Sequence, residues 1–195
     1  VIKPSEIPNN TSTILAELIN LNFDENHLTV IEGGVDTATE LLQQKWDKIF
    51  FTGSTPVGKI VYKAAAENLT PVTLELGGKS PTFVLADCNI KITAKRIVWA
   101  KFLNAGQTCI APDYLLVEKS IESELLEAIK KEIQEFYPLS ENINENYVQI
   151  VNERNFNRLK QLIPTDKIYH GGETIIENRS IAPTLLQNIS FEDSI

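Results

Sequence analysis

The 195-residue chain contains no methionine, two cysteines and two histidines. Two thiols do not make a disulfide framework, and no spacing typical of a metal site is present, so we expect no bound metal. Few cysteines also predict a reducing, cytoplasmic setting. The missing methionine at position 1 and the closing sequence FEDSI favour an internal piece of a longer protein, with removal of a leader as the alternative.

The chain is also poor in basic charge and in long apolar runs. It has 18 lysines and arginines against 26 acidic residues, a net charge of −8. An acidic surface repels phosphate backbones, so we expect no nucleic-acid partner. No run of 18 apolar residues exists, so no membrane segment is predicted in the chain. The 43% of hydrophobic residues is enough for a packed core.

Strand and helix signals alternate along the chain. In the first third we predict a strand end at residues 1–3, strands at residues 28–34, 48–53 and 71–76, and helices at 11–21, 36–44 and 56–68. After the GGKSP turn the pattern restarts, with strands at 81–87 and 114–120, helices at 90–104, 121–137 and 152–163, a polar loop at 141–145, and strands at 167–172 and 180–189. Such repeats predict an α/β fold with a parallel sheet, divided between Gly77 and Gly78.

The stretch GSTPVGKI resembles a triphosphate-binding loop, but Ile60 stands where that pattern requires a serine or threonine. Without this hydroxyl a magnesium ligand is missing. The glycines and the start of a helix could still receive a diphosphate, because the first amide groups of a helix are free. A strand-to-helix turn that binds nothing is the alternative.

Three further stretches carry candidate chemistry. Cys109 in NAGQTCIAP is a possible nucleophile beside backbone amides, or a buried structural cysteine. Glu75 lies in the apolar strand VTLEL, where a carboxylate is costly unless it is paired, hydrated or functional, so it is either a general base or a solvent-facing residue. Lys3 and Glu6 in IKPSE flank a turn at a strand end, where ligands bind in parallel sheets. They either bind the hydroxyl groups of a sugar or are two solvated charges.

Four motifs, IKPSE, FFTGSTPVGKI, PVTLELGGKSP and FLNAGQTCIAPDY, follow one another in this order. Together they resemble the aldehyde dehydrogenase superfamily. The residues within the motifs resemble its class 3-like branch in particular. That branch handles medium- and long-chain aliphatic or aromatic aldehydes. The last two are similar to the family's catalytic glutamate and cysteine signatures. The resemblance continues through YVQIVNERNFNRL and SIAPTLL and covers essentially the whole chain.

The resemblance implies oxidation of an aldehyde to a carboxylic acid with NAD or NADP, through a thiohemiacetal and a thioester on Cys109. Cys109 would be the nucleophile, its backbone N–H an oxyanion donor, and Glu75 the base that activates water.

The resemblance also implies a cofactor site. Lys3 and Glu6 would hold the adenosine ribose, whereas Gly53 and Ser54 would meet the pyrophosphate. Two more residues would lie near the nicotinamide: Leu76 and Gly77.

By the same resemblance, residues 1–77 would form the C-terminal half of a Rossmann-like NAD(P)-binding domain, and residues 78–195 the first part of an α/β catalytic domain. The family's second oxyanion donor, an asparagine, its nicotinamide-ribose motif and much of its dimerisation arm are not in this sequence. A homodimer or higher oligomer is implied for the full-length enzyme. Two alternatives stay open: a non-catalytic nucleotide-binding or interaction fragment, and a thiol-dependent esterase.

Overall fold

The computed structural model describes residues 1–138 and 147–193. The chain divides into two compact units, Val1–Gly77 and Gly78–Ile195. What each unit binds stays a prediction at this point. The polar loop predicted at 141–145 lies outside the described residues.

The first unit is built around one strand–helix–strand repeat. Its elements are α1 (Asn9–Asn22), α2 (Val35–Leu42), β1 (Ile49–Gly53), α3 (Thr55–Glu67) and β2 (Val72–Leu76). The strands β1 and β2 pair in parallel, from Ile49 opposite Val72 to Gly53 opposite Leu76, and α3 connects them. This arrangement confirms the predicted α/β organisation with parallel strands.

Glycine allows α3 to approach β2 closely. A Cβ atom on Gly58 would lie 2.8 Å from Leu76 Cδ2 and 3.7 Å from Leu74 Cδ1. Pro56 lies in the first turn of α3, where its missing N–H removes no intrahelical hydrogen bond. The second glycine of GSTPVGKI therefore serves helix–strand packing.

The strand predicted at 28–34 is wrong as a continuous strand. Only Val30 pairs, in a single parallel bridge with Ile2. The Asn20 side chain bonds to the Val30 backbone, donating to its carbonyl at 3.0 Å and accepting from its N–H at 2.9 Å. A side chain of α1 thus occupies the hydrogen-bonding groups that a neighbouring strand would use.

The three helices of the first unit begin one or two residues before their predicted starts. The helix α1 begins at Asn9 after Pro8, which caps it without a side-chain hydrogen bond. The helix α2 begins at Val35 after Gly34, which places Asp36 in the first turn. An acidic residue in the first turn still interacts favourably with the helix dipole.

The second unit repeats the strand–helix–strand pattern and then ends in short antiparallel pairs. Its elements are β3 (Ser80–Val84), α4 (Ile90–Phe102), β4 (Pro112–Val117), α5 (Glu122–Phe136), α6 (Glu153–Gln161), β5 (Ile168–His170), β6 (Thr174–Ile175), β7 (Ser180–Ile181) and β8 (Leu185–Leu186). The strands β3 and β4 are parallel, whereas β5–β8 and β6–β7 are antiparallel. The predicted strand at 180–189 is therefore two short strands with different partners.

The core of the second unit lies where α4, α5 and β3 meet. Ala94, Val98, Leu125 and Ile129 are almost fully buried there, as is Val84 of β3. Burial of this kind contributes about 25 cal/mol per Å² of apolar surface, which makes it the main stabilising term. Within residues 1–138 and 147–193, no helix has the length and apolar character needed to cross a membrane.

The structure corrects the predicted bounds around Cys109. The helix α4 ends at Phe102 instead of residue 104, because Asn104 and Ala105 have positive φ angles of 54° and 53°. The strand β4 begins at Pro112 and ends at Val117, and Lys119–Ile121 forms a 3-10 turn where the strand was predicted to continue. We call residues 103–111, between α4 and β4, the cysteine loop.

Candidate active site

Several predicted cofactor residues lie together at the carboxyl ends of β1 and β2. Gly53 is paired with Leu76 in the last rung of the parallel ladder, and Thr52 is paired with Glu75. Ser54 follows Gly53 as the cap residue of α3, but its hydroxyl makes no capping hydrogen bond. Ligands bind at this edge in open parallel sheets. Among the described residues, the Ser54 hydroxyl at the start of this helix therefore has no capping partner.

Glu75 is exposed, so its carboxylate faces solvent and does not bear the cost of burial in an apolar strand. The neighbouring Leu74 and Leu76 face α3, because the side chains of both lie close to Gly58 of that helix. Because side chains alternate along a strand, Thr73 and Glu75 lie on the opposite face. Glu75 is accessible to water from that face.

Lys3 and Glu6 form an ion pair, with 3.6 Å between Lys3 Nζ and Glu6 Oε2. The Lys3 ammonium also donates to the carbonyls of Pro4 at 2.8 Å and Gly33 at 2.6 Å. Only 20% of the Lys3 side chain is exposed, against 51% for Glu6. Lys3 is thus held in place by backbone carbonyls, and nothing in the sequence indicated its bond to Gly33. Glu6 remains accessible to solvent.

Cys109 is an exposed free thiol in the turn that precedes β4. The loop before it has three successive residues with positive φ, which are Asn104, Ala105 and Gly106. For Ala105 this conformation is unfavourable, and such strain occurs preferentially at functional sites. Within the described part of the chain, the backbone N–H of Cys109 has no hydrogen-bond acceptor. The buried structural cysteine considered from the sequence is therefore wrong.

Gln107 joins the cysteine loop to a distant segment, which the sequence did not reveal. Its Nε2 donates to the carbonyls of Asn104 and Gln149, both at 3.1 Å. Its Oε1 accepts from Val151 N at 2.9 Å. Arg179 secures the same segment, because Ile150 N donates to the Arg179 carbonyl at 2.9 Å.

Replacing Gln107 with alanine is expected to destabilise the protein by about 0.5–1.5 kcal/mol, because its hydrogen bonds to the Asn104 and Gln149 carbonyls and to the Val151 N–H are lost at an exposed position where water takes their place. Urea-induced unfolding followed by circular dichroism measures the difference. Gln149→Ala is the control, since it removes only a side-chain acceptor of Arg179 at 3.1 Å and should change stability by less than about 0.5 kcal/mol. Equal stability of the two variants would contradict this role of Gln107.

Three charged side chains surround the base of the cysteine loop. Asp113 Oδ2 contacts the Lys79 ammonium, and Asp113 Oδ1 lies 3.9 Å from Lys101 Nζ. Burial lowers the pKa of Lys101 below its usual value; the Asp113 carboxylate opposes this shift and the Lys79 charge adds to it. The sequence offered no signal for this cluster, since its members belong to three separate segments.

Gly78 touches the turn of Cys109 directly. A Cβ atom on Gly78 would lie 3.2 Å from the Cys109 carbonyl oxygen, a backbone atom, whereas a Cβ on Gly77 would have no neighbour within 4 Å. Of the two adjacent glycines, Gly78 is therefore the one in a tightly packed position.

The structure thus groups the predicted residues into three sets: Lys3 with Glu6; Gly53 and Ser54 with Glu75, Leu76 and Gly77; and the cysteine loop with Cys109. In the part of the chain that is described, no cluster of three or more histidine, cysteine, aspartate or glutamate side chains could hold a metal ion.

Known proteins share both the sequence and the fold of this chain. The profile of the aldehyde dehydrogenase family matches residues 1–195. Aldehyde dehydrogenase family 3 member A2 of Macaca fascicularis is 51% identical over 191 residues, which are 97% of this chain and 39% of that protein. The dimeric NADP-preferring aldehyde dehydrogenase of Rattus norvegicus is 47% identical over 195 residues, all of this chain and 43% of that protein.

A solved structure gives the same result for the fold. The substrate-bound state of Staphylococcus aureus AldH superimposes with a TM-score of 0.94 at 45% identity, covering 99% of this chain and 43% of that one. The chain therefore spans about two fifths of the length of the curated relatives it matches. Its whole length matches the family profile, and the chain belongs to the aldehyde dehydrogenase family.

Proposed function

We propose that this chain carries the nucleophile, the base and part of the cofactor site of an enzyme that oxidises an aldehyde to a carboxylic acid with NAD+ or NADP+. The observation that carries the proposal is Cys109, an exposed thiol whose own backbone N–H has no acceptor among the described residues. Family membership supports the reaction class.

Cys109 as thiolate attacks the aldehyde carbon, forming a C–S bond and an oxyanion. The backbone N–H of Cys109 donates to that oxyanion, which is the stabilisation expected of a free amide beside a nucleophile. Covalent attachment is needed because the tetrahedral adduct releases a hydride more readily than the aldehyde does. When bound, the nicotinamide supplies the hydride acceptor. Loss of the hydride leaves a thioester on Cys109.

Glu75 takes a proton from water, the resulting hydroxide attacks the thioester carbon, and the acid leaves with return of the Cys109 thiolate. An exposed carboxylate can receive this water directly. We propose the same residue roles that the family resemblance implies, with residues 1–77 holding the dinucleotide and residues 78–195 carrying the nucleophile.

The cofactor fits the first unit on two observations. Gly53 and Ser54 form an exposed strand-to-helix turn. Among the described residues, the Ser54 hydroxyl makes no capping hydrogen bond and the helical hydrogen bonding begins at Gly58 N, so the N–H groups of Thr55 and Val57 suit a pyrophosphate. Lys3 and Glu6 form an ion pair whose side chains can bind the ribose hydroxyls. The negative charge of the Glu6 carboxylate disfavours a 2′-phosphate. Leu76 and Gly77 follow at the same sheet edge, beside the nicotinamide in this proposal.

Medium- and long-chain aliphatic or aromatic aldehydes are the proposed substrates, and a homodimer or larger homo-oligomer is the proposed assembly. One relative carries the word dimeric in its name. Full-length protein incubated with NAD+ or NADP+ and hexanal or benzaldehyde should form the reduced cofactor and the acid. Ester cleavage that is indifferent to the cofactor, without aldehyde oxidation, would favour the thiol esterase instead.

Replacing Glu75 with glutamine is expected to slow steady-state turnover by about 10²–10⁴-fold, because an amide cannot accept the proton from water. The first turnover should survive, so a burst of reduced cofactor should precede the slow phase while acyl-enzyme accumulates on Cys109. Stopped-flow absorbance and intact-protein mass spectrometry measure the two effects.

Glu67→Gln is the matched control for that variant, since Glu67 is an exposed carboxylate at the end of α3. Its turnover should equal that of the wild type. Wild-type turnover in Glu75→Gln, or a burst of the same size in both variants, would contradict the base role.

A further inference from the structure

The cysteine loop is bounded by two residues that face each other across its base. Lys101 is the penultimate residue of α4, and Asp113 is the second residue of β4. Their charged atoms lie 3.9 Å apart. The pair therefore links the two ends of the loop that carries Cys109.

The same carboxylate reaches a third segment. Asp113 Oδ2 contacts Lys79, the residue after Gly78, while Oδ1 faces Lys101. Gly78 itself packs against Cys109, since a Cβ atom on Gly78 would lie 3.2 Å from the Cys109 carbonyl oxygen. One side chain thus binds the loop base and the segment that supports Cys109.

Lys101 also touches the loop interior. A Cβ on Gly106 would lie 3.1 Å from the Lys101 carbonyl and 3.8 Å from Lys101 Nζ, so the lysine packs against the positive-φ turn before Cys109. Only 31% of the Lys101 side chain and 27% of the Asp113 side chain are exposed, against 62% for Lys79. The Lys101–Asp113 contact is the sheltered half of the cluster.

We propose that Asp113 is a positioning residue that fixes the cysteine loop by binding Lys101 and Lys79 at once. The inference rests on the proposed function, because it assigns Asp113 to the placement of the nucleophile in that reaction. Asp113 acts through the backbone of the loop and takes no part in bond making. Removing its charge leaves two lysines uncompensated beside the loop and frees the loop base.

The first measurement uses full-length Asp113→Asn protein in aldehyde oxidation. A misplaced nucleophile lowers the rate of chemistry, so kcat should fall by about tenfold to a hundredfold. The KM for NAD+ should stay within about twofold, because the proposed cofactor residues lie elsewhere in the sequence and lose no contact. A kcat equal to that of the wild type would overturn the positioning role.

The second measurement does not need catalysis. Iodoacetamide alkylation of Cys109 in the cofactor-free protein, followed by peptide mass spectrometry, should be about two- to fivefold faster in Asp113→Asn, as expected from the loss of one partly screened charge interaction. The cysteine loop, no longer fixed at its base, gives iodoacetamide easier access to Cys109. The positive charges of Lys79 and Lys101, no longer neutralised by Asp113, favour the anionic thiolate that reacts. An unchanged alkylation rate would overturn the inference even if kcat fell.

Glu122→Gln is a closely matched control. Glu122 also binds a lysine, Lys119 at 2.6 Å, and 27% of its side chain is exposed, the same fraction as for Asp113. It lies at the start of α5, outside the cysteine loop. This variant should match the wild type in both measurements.

Lys101→Met keeps the inference testable if Asp113→Asn folds poorly, since it removes the other end of the sheltered pair. It should reproduce the fall in kcat. The double variant should be no slower than Asp113→Asn, because that change already breaks the Lys101–Asp113 contact together with the Lys79 contact. Multiplied effects in the double variant would overturn the inference. If the wild type oxidises no aldehyde, the proposed function fails, while the alkylation rates of the same variants still decide whether Asp113 fixes the loop.

Discussion

Cys109→Ser is expected to lower aldehyde oxidation by about 10⁴-fold or more, the scale seen when a covalent nucleophile is removed from an enzyme. The thiolate attacks carbonyls, and a serine hydroxyl stays protonated near neutral pH without a neighbouring base. The substitution removes little volume from an exposed site, so the fold should remain intact. Steady-state formation of reduced cofactor measures the loss.

Cys88→Ser is the control for this experiment. Cys88 is partly buried and packs against the core of the second unit, so its change tests whether any thiol-to-hydroxyl substitution harms the protein. We expect turnover close to the wild-type rate. Cofactor binding, followed by fluorescence, should be retained in Cys109→Ser, which separates loss of chemistry from loss of fold. Wild-type turnover in Cys109→Ser would refute the proposed mechanism.

Gly171→Ala is expected to reduce the free energy of unfolding by about 2–5 kcal/mol, the sum of a left-handed backbone cost and overpacking. Gly171 has a φ of 78°, and a Cβ atom there would overlap the Pro183 carbonyl oxygen. That oxygen belongs to backbone, so no side-chain rotation can relieve the contact. Gly171 follows β5 and Pro183 precedes β8, hence the paired strands must separate.

Thermal and urea-induced unfolding of the full-length protein measure this effect. Gly34→Ala is the control, because Gly34 has a φ of −94° and a Cβ there would have no neighbour within 4 Å. Its stability should change by less than about 0.5 kcal/mol. If the two variants unfolded at the same temperature, the close approach of Gly171 to Pro183 would be disproved.

Local patterns predicted those elements whose signals lie within a few residues. The β1–α3–β2 repeat was predicted correctly because an apolar strand, a proline in the first helical turn and a second apolar strand follow one another. Asn152 caps α6 through a bond from Asn155 N at 2.9 Å, again a local contact. The strand prediction around Val30 was wrong because the partners of Val30 come from other parts of the chain. They are Ile2 and the Asn20 side chain.

The candidate site divides in the same way. Cys109, Glu75 and the GSTPVGKI turn could be singled out because a reactive residue stands beside glycine or in an unexpected apolar context. Gln107 and Asp113 could not, since their importance lies in contacts with Val151 and with Lys79 and Lys101. No local pattern records such contacts.

The sequence by itself determined the alternation of strands and helices, the family and the candidate nucleophile and base, because these depend on residue type and order. Only the tertiary structure decided that Gly58 and Gly78 lie in tightly packed positions, that Cys109 is exposed with a backbone N–H that has no acceptor among the described residues, and that Asp113 contacts Lys101 at the other end of the cysteine loop. The physical reason is that burial, close approach and ion pairing depend on distances between residues far apart in the chain.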